Sequence, residues 1–95
     1  LITRERLNSY LEAVFIKYGI EDQIETAKKI ISCESGFQIN PKHNGISWGI
    51  AQFTKPTWED FGKGDIMNPY SQLEVMAKMI SMGLINRWDC AKLIK

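Results

Sequence analysis

Apolar positions along this chain recur mostly at helical spacing. Leu7, Tyr10, Leu11, Val14 and Tyr18 follow the i, i+3, i+4, i+7, i+11 pattern of one helix face. Thr3 is placed to cap that helix, Ile2 and Leu7 to staple its entry, and Gly19 to stop it. A second helix is predicted from about Asp22 to Ser35. Ile24, Ala27, Ile30 and Ile31 form its stripe, and Gly36 sits where a left-handed C-terminal cap belongs. From Phe37 to Phe53 no period holds. Asn40, Pro41, Asn44, Gly45 and Gly49 mark turns there, with room for a short strand pair. Thr54 to Phe61 reads as a short helix turning Trp58 and Phe61 inward, and Gly62 to Met67 as a loop. Asn68 and Pro69 then supply an N-cap and a proline at the first helical position. The third long helix carries Leu73, Met76, Ala77, Ile80 and Leu84 on one face, and a final short helix or turn holds Trp88 and Cys90. The expected fold class is mainly α, a small domain with an irregular central loop or short β-hairpin.

A length of 95 residues predicts a single domain over 1–95. Apolar residues at 44% can fill a core, and charged residues at 24% match an ordinary globular chain. Twelve basic and 11 acidic residues leave a net charge of +1, which gives no electrostatic case for nucleic acid or an anionic membrane. Apolar runs are only a few residues long, so no membrane insertion is expected. The chain opens on Leu1 rather than Met, as an excised or processed segment would. A missing signal peptide therefore says nothing about location.

Burial alone stabilises so small a domain only modestly, and a covalent staple would help. Cys33 and Cys90 fit either one disulfide or two buried thiols, and their spacing leaves both open. A bridge would close a loop of roughly sixty residues and stabilise by ~4 kcal/mol through chain entropy. No metal site is expected. His43 is the one histidine, in a loop with Lys42 and Asn44, and the cysteines lack metal-ligand spacing. No cofactor is expected either.

Glu34 stands apart from the other carboxylates. It lies seven residues after Ala27, four after Ile30 and three after Ile31, so it continues the apolar stripe. Glu21, Asp22 and Glu25 sit at the helix start, where the macrodipole favours them; Glu34 sits at the end that disfavours negative charge. Dipole and partial burial both push its pKa upward, as a general acid requires. A surface glutamate beyond an earlier helix end fits the same spacing. Ser47, Trp48 and Gln52 follow in a glycine-containing loop, and Trp58 comes after it. Aromatic faces stack on sugars, and amides and hydroxyls read sugar substituents. The same four residues could also simply satisfy a turn and cover the core.

At these residues the chain resembles the lytic transglycosylase domain of the lysozyme-like superfamily. Three elements carry the resemblance in order: Glu34-Ser35-Gly36-Phe37 with Asn40-Pro41 behind it, Gly45-Ile46-Ser47-Trp48-Gly49-Ile50-Ala51-Gln52, and Asp65-Ile66-Met67-Asn68-Pro69 with Gln72. They span roughly Ile24 to Leu84. Cys33 directly before Glu34, and Cys90 after Trp88-Asp89, are similar to resuscitation-promoting-factor domains, in which the two cysteines are paired. Two departures stand out: Ala51 replaces the methionine common before the loop glutamine, and the late Tyr-Asn-Ala-Gly motif is absent.

The resemblance implies a lysozyme-like fold that cleaves the β-1,4 bond between N-acetylmuramic acid and N-acetylglucosamine. It makes Glu34 the acid/base, puts Ser47 and Gln52 in the groove, and implies a Cys33–Cys90 bridge in an extracytoplasmic, cell-wall-facing protein. Peptidoglycan glycan strands are the expected partner, and a monomer the expected state. A lytic transglycosylase needs no second carboxylate, because the muramoyl 6-hydroxyl attacks. A hydrolytic muramidase needs one. Between the loop and the long helix the acidic candidates are Glu59, Asp60 and Asp65; the first two suit a solvated helix face and Asp65 a loop cap. A non-catalytic peptidoglycan-binding module would keep the aromatics and Gln52 without needing Glu34. A small cytosolic helical interaction domain would keep both thiols free.

Overall fold

A computed structural model describes residues 1–94. Four α-helices and one short hairpin make up its regular structure, so the fold is mainly α. The helices are α1 (Arg4–Lys17), α2 (Ile24–Ser35), α3 (Lys55–Phe61) and α4 (Pro69–Ser81). The hairpin pairs β1 (Ser47–Trp48) antiparallel with β2 (Phe53–Thr54), setting Ser47 opposite Thr54 and Trp48 opposite Phe53. Single 3-10 turns cover Glu21–Gln23, Ile85–Arg87 and Asp89–Lys92.

The predicted caps Thr3 and Asn68 form, and Thr54 caps α3 as well. The Thr3 hydroxyl accepts from the Arg6 N–H, the Thr54 hydroxyl from Thr57, and the Asn68 carboxamide from Tyr70 and Ser71. Ile2 stays exposed while Leu7 is buried. The second helix begins later than the sequence suggests. Glu21–Gln23 forms a 3-10 turn because no side chain caps the α-helix at Gln23.

The third long helix ends at Ser81, short of Leu84. Gly83, at φ 80°, turns the chain, and Leu84 reaches the core from beyond the turn. Its N–H bonds the Met79 carbonyl at 3.0 Å while that of Gly83 bonds Ile80 at 2.9 Å. This paired arrangement, a Schellman motif, brings an apolar residue back onto the last helical turn.

One contiguous core joins the helices. Leu7, Leu11 and Phe15 of α1 are fully buried with Ile30 and Ile31 of α2 and Leu73, Met76 and Met79 of α4. Tyr10 and Lys17 fasten α1 to α4 through Glu74, at 2.9 and 3.4 Å. Ile50, Ala51 and Phe53 plug the same core from the hairpin. The irregular segment is therefore seated on the helical frame along one side.

Candidate functional site

Three side chains seat the hairpin loop against the helices. Ser35, buried at the end of α2, donates its hydroxyl to the Ile50 carbonyl at 2.7 Å. Gln72, fully buried on α4, accepts from the Ala51 N–H at 2.8 Å and donates to the Trp48 and Ile66 carbonyls at 2.9 and 2.6 Å. Trp88 donates its indole N–H to the Ala51 carbonyl at 2.9 Å. Each buried polar group thus has a partner, which fixes the loop rather than leaving it to slide. Gly49 makes this possible. Its φ of 80° suits glycine, and a Cβ there would collide with the Gln72 carboxamide.

The loop so held carries Gln52 to Glu34. Both line a polar hollow of about 90 Å³ together with Ser47, Thr57, Arg87 and Asp89. Phe53, Thr54, Met79 and Trp88 complete its walls. Gln52 adopts φ 54° and ties its side-chain amide to the Gly49 carbonyl at 2.8 Å. Its carboxamide oxygen has no protein hydrogen-bond partner among the described residues. Phe37, at φ 58°, follows Gly36 at φ 67°. Left-handed backbone at two bulky residues is strain of the kind that concentrates at working sites.

Glu34 is half-buried in the last turn of α2. Burial pushes its carboxyl above the usual carboxylate range, and the negative charge of Asp89 pushes the same way. The Cys90 backbone N–H, 3.4 Å from Oε2, opposes both. The arrangement favours a carboxyl that keeps its proton at higher pH than an ordinary glutamate does.

Cys33 and Cys90 form a disulfide, with Cα atoms 6.0 Å apart. The bridge pins the end of α2 to the Asp89–Lys92 turn, one residue from Glu34 on one side and one from Asp89 on the other. A disulfide in so small a domain points to an oxidising environment.

Glu34, Ser47 and Gln52, expected at one site, meet at this hollow. Trp48 and Trp58 do not line it. Trp48 is half-buried, stacked on His43 at 5.2 Å with the Lys55 ammonium 5.0 Å from its ring centre. Trp58 packs edge-on against Phe53 at 5.1 Å and donates to the Gly64 carbonyl at 3.1 Å. Asp65 caps its own loop by accepting from the Met67 N–H at 2.8 Å, and Glu59 and Asp60 lie exposed on α3.

The second carboxylate of the hollow is Asp89, which a search between the loop and the long helix passes over. Its signal lies in the cysteines: once Cys33 and Cys90 are paired, the residues beside them, Glu34 and Asp89, become neighbours. No group of three His, Cys, Asp or Glu among the described residues could hold a metal ion, and no helix there is long and apolar enough to cross a membrane. No family model, curated protein or solved structure matches the chain.

Proposed function

We propose that this domain is a peptidoglycan-cleaving glycosidase of the lytic transglycosylase type, acting on the β-1,4 bond between N-acetylmuramic acid and N-acetylglucosamine. The observation that carries the reading is the half-buried Glu34, with its raised pKa, sharing a polar hollow with Gln52 and Ser47. Glu34 gives its proton to the bridging oxygen as the bond to the muramoyl C1 breaks. The N-acetylglucosamine leaves with that proton on its 4-hydroxyl. The muramoyl 6-hydroxyl then closes on C1, and the Glu34 carboxylate takes the hydroxyl proton, restoring the acid. The unpartnered Gln52 oxygen can accept from a sugar hydroxyl or acetamido N–H. The disulfide supports an extracytoplasmic, wall-facing location for this chemistry.

Asp89 favours a second reading, a hydrolytic muramidase. A second carboxylate lining the same hollow as the acid can activate water or attack the sugar itself, and retaining and inverting glycosidases both need one. The hollow of about 90 Å³ has room for a few waters beside it.

Mass analysis of digested glycan strands separates the readings. Anhydro-muramoyl ends support the transglycosylase, and products heavier by one water support the muramidase. Glu34→Gln should slow cleavage by about 10³-fold, within the range for a lost general acid. Full activity in that variant would overturn both readings, and strand binding without cleavage by the unmodified protein would make this a binding module.

A further inference from the structure

Glu34 and Gln52 also line a second hollow. It measures about 410 Å³ and is walled by the loop that follows α2, including Gln38, Pro41 and Lys42. Apart from Glu34 and Gln52, the two hollows share no lining residue. The two hollows therefore meet at Glu34 and Gln52. Small-ligand sites run from about 300 to 1,000 Å³. The larger hollow, a shallow and open one, falls within that range by volume, and the smaller one does not.

Charge around the two hollows is uneven. The stretch from Gly36 to Trp58 contains no aspartate or glutamate, while it carries Lys42, His43 and Lys55. Of these, only Lys42 lines either hollow; Lys55 sits over the Trp48 ring. Lys42 lines the larger hollow itself. The Arg4 guanidinium donates at 3.3 Å to the carbonyl of Gly36, which lines the same hollow. Lys42 is the one cation lining the larger hollow, whereas Arg87 shares the smaller one with Asp89, so an acidic substituent is better matched by the larger hollow.

We propose that the Lys42 hollow is a carboxylate-selecting subsite, in which the Lys42 ammonium pairs with an acidic substituent of the bound sugar. The inference rests on the glycosidase reading and deepens it. Muramic residues carry a lactyl group, free or extended by a peptide, and both forms present carboxylates. Lys42 is then a specificity-determining residue that acts on binding. Gln38 offers an amide to the same sugar from the adjoining wall. The hollow orients the strand, and Glu34 meets the bond at its edge.

The test uses uncross-linked glycan strands and the same strands with their carboxylates amidated. Lys42→Gln should raise KM about fivefold on native strands, the effect of an exposed charge pair worth about 1 kcal/mol, with kcat little changed. On amidated strands it should change neither constant, and Lys42→Arg should restore the native-strand KM. An equal loss on both substrates, or none on native strands, overturns the proposal. A parallel arm measures strand binding to Glu34→Gln with and without Lys42→Gln, and the same carboxylate dependence is expected there. If the unmodified protein cleaves neither strand, the glycosidase reading fails alone, and the binding arm still decides the role of Lys42.

Discussion

The C-terminal ends of α1 and α4 are built alike, and that of α2 differs from both. Each of the first two carries a lysine in its last turn, Lys17 or Lys78, which complements the helix dipole. Each closes through a left-handed glycine, Gly19 or Gly83, with paired bonds back to the last turn. Helix α2 has no basic residue in its last turn and carries Glu34 there instead. Gly36 is followed by a buried Phe37 that is also left-handed. Two ends are thus relaxed electrostatically and in their backbone, and the third is neither. The unfavourable features coincide with the polar hollow, as expected where local structure serves a site rather than stability.

An unfavourable end needs external restraint, and the disulfide supplies it. Breaking the Cys33–Cys90 bridge, whose sequence separation is 57, should give the largest effect. A Cys33→Ser/Cys90→Ser variant should lose about 4 kcal/mol in urea unfolding and roughly 20 °C in Tm. If the domain is the proposed glycosidase, cleavage should also fall below the unfolding transition, because the Cys90 N–H and Asp89 would no longer be held against Glu34. Full activity in the still-folded variant would mean that the end of α2 holds its geometry without the bridge.

Glycine substitutions sharpen the same contrast. At Gly83 a Cβ meets nothing within 4 Å. Gly83→Ala should therefore cost only the left-handed strain, about 1 kcal/mol. At Gly49 the strain is similar, but the Cβ collides with Gln72, whose carboxamide makes three hydrogen bonds, two of them buried. Gly49→Ala should cost about 3 kcal/mol or more, strain and disrupted bonds together, and should slow cleavage by displacing Gln52. Denaturant midpoints for the two variants give the ratio. Equal losses would show that the hairpin loop tolerates displacement as freely as a surface turn.

Legibility followed regularity. The stripes of α1, α2 and α4 and the caps at Thr3, Asn68 and Gly36 could be read because local spacing dictates them. Leu84 misled because a Schellman turn returns an apolar residue to the helix face at nearly the spacing of an added turn. Glu34 was visible as a carboxylate on an apolar stripe, and Ser47 and Gln52 as polar groups in a glycine-bearing loop. Trp58 could not be assigned from its residue type, since packing against Phe53 and stacking on a sugar ask for the same aromatic ring. Asp89 was hidden because its relation to Glu34 runs through a covalent link between distant positions. The Lys42 hollow depends on a loop with no period, so only its charge could be read in advance.

The finest comparison lies between the two carboxylates of the hollow. Burial first, and Asp89 next, raise the Glu34 pKa against the opposing Cys90 N–H. A carboxyl whose folded pKa exceeds its unfolded value stabilises the fold fully below the unfolded value, and that contribution is lost as pH rises through the folded pKa. Glu34→Gln should flatten this fall in stability. On the proposed glycosidase reading, cleavage by a protonated Glu34 should decline over the same rise. Asp89→Asn removes one of the two upward pushes, so the decline should begin at lower pH while the plateau rate and the unfolding midpoint stay nearly unchanged. A pH–rate profile of kcat/KM checks this. If Asp89 instead activates water, Asp89→Asn should depress the rate at every pH and leave the limb in place. The shape of one curve therefore separates an aspartate that tunes the acid from one that takes part in the reaction.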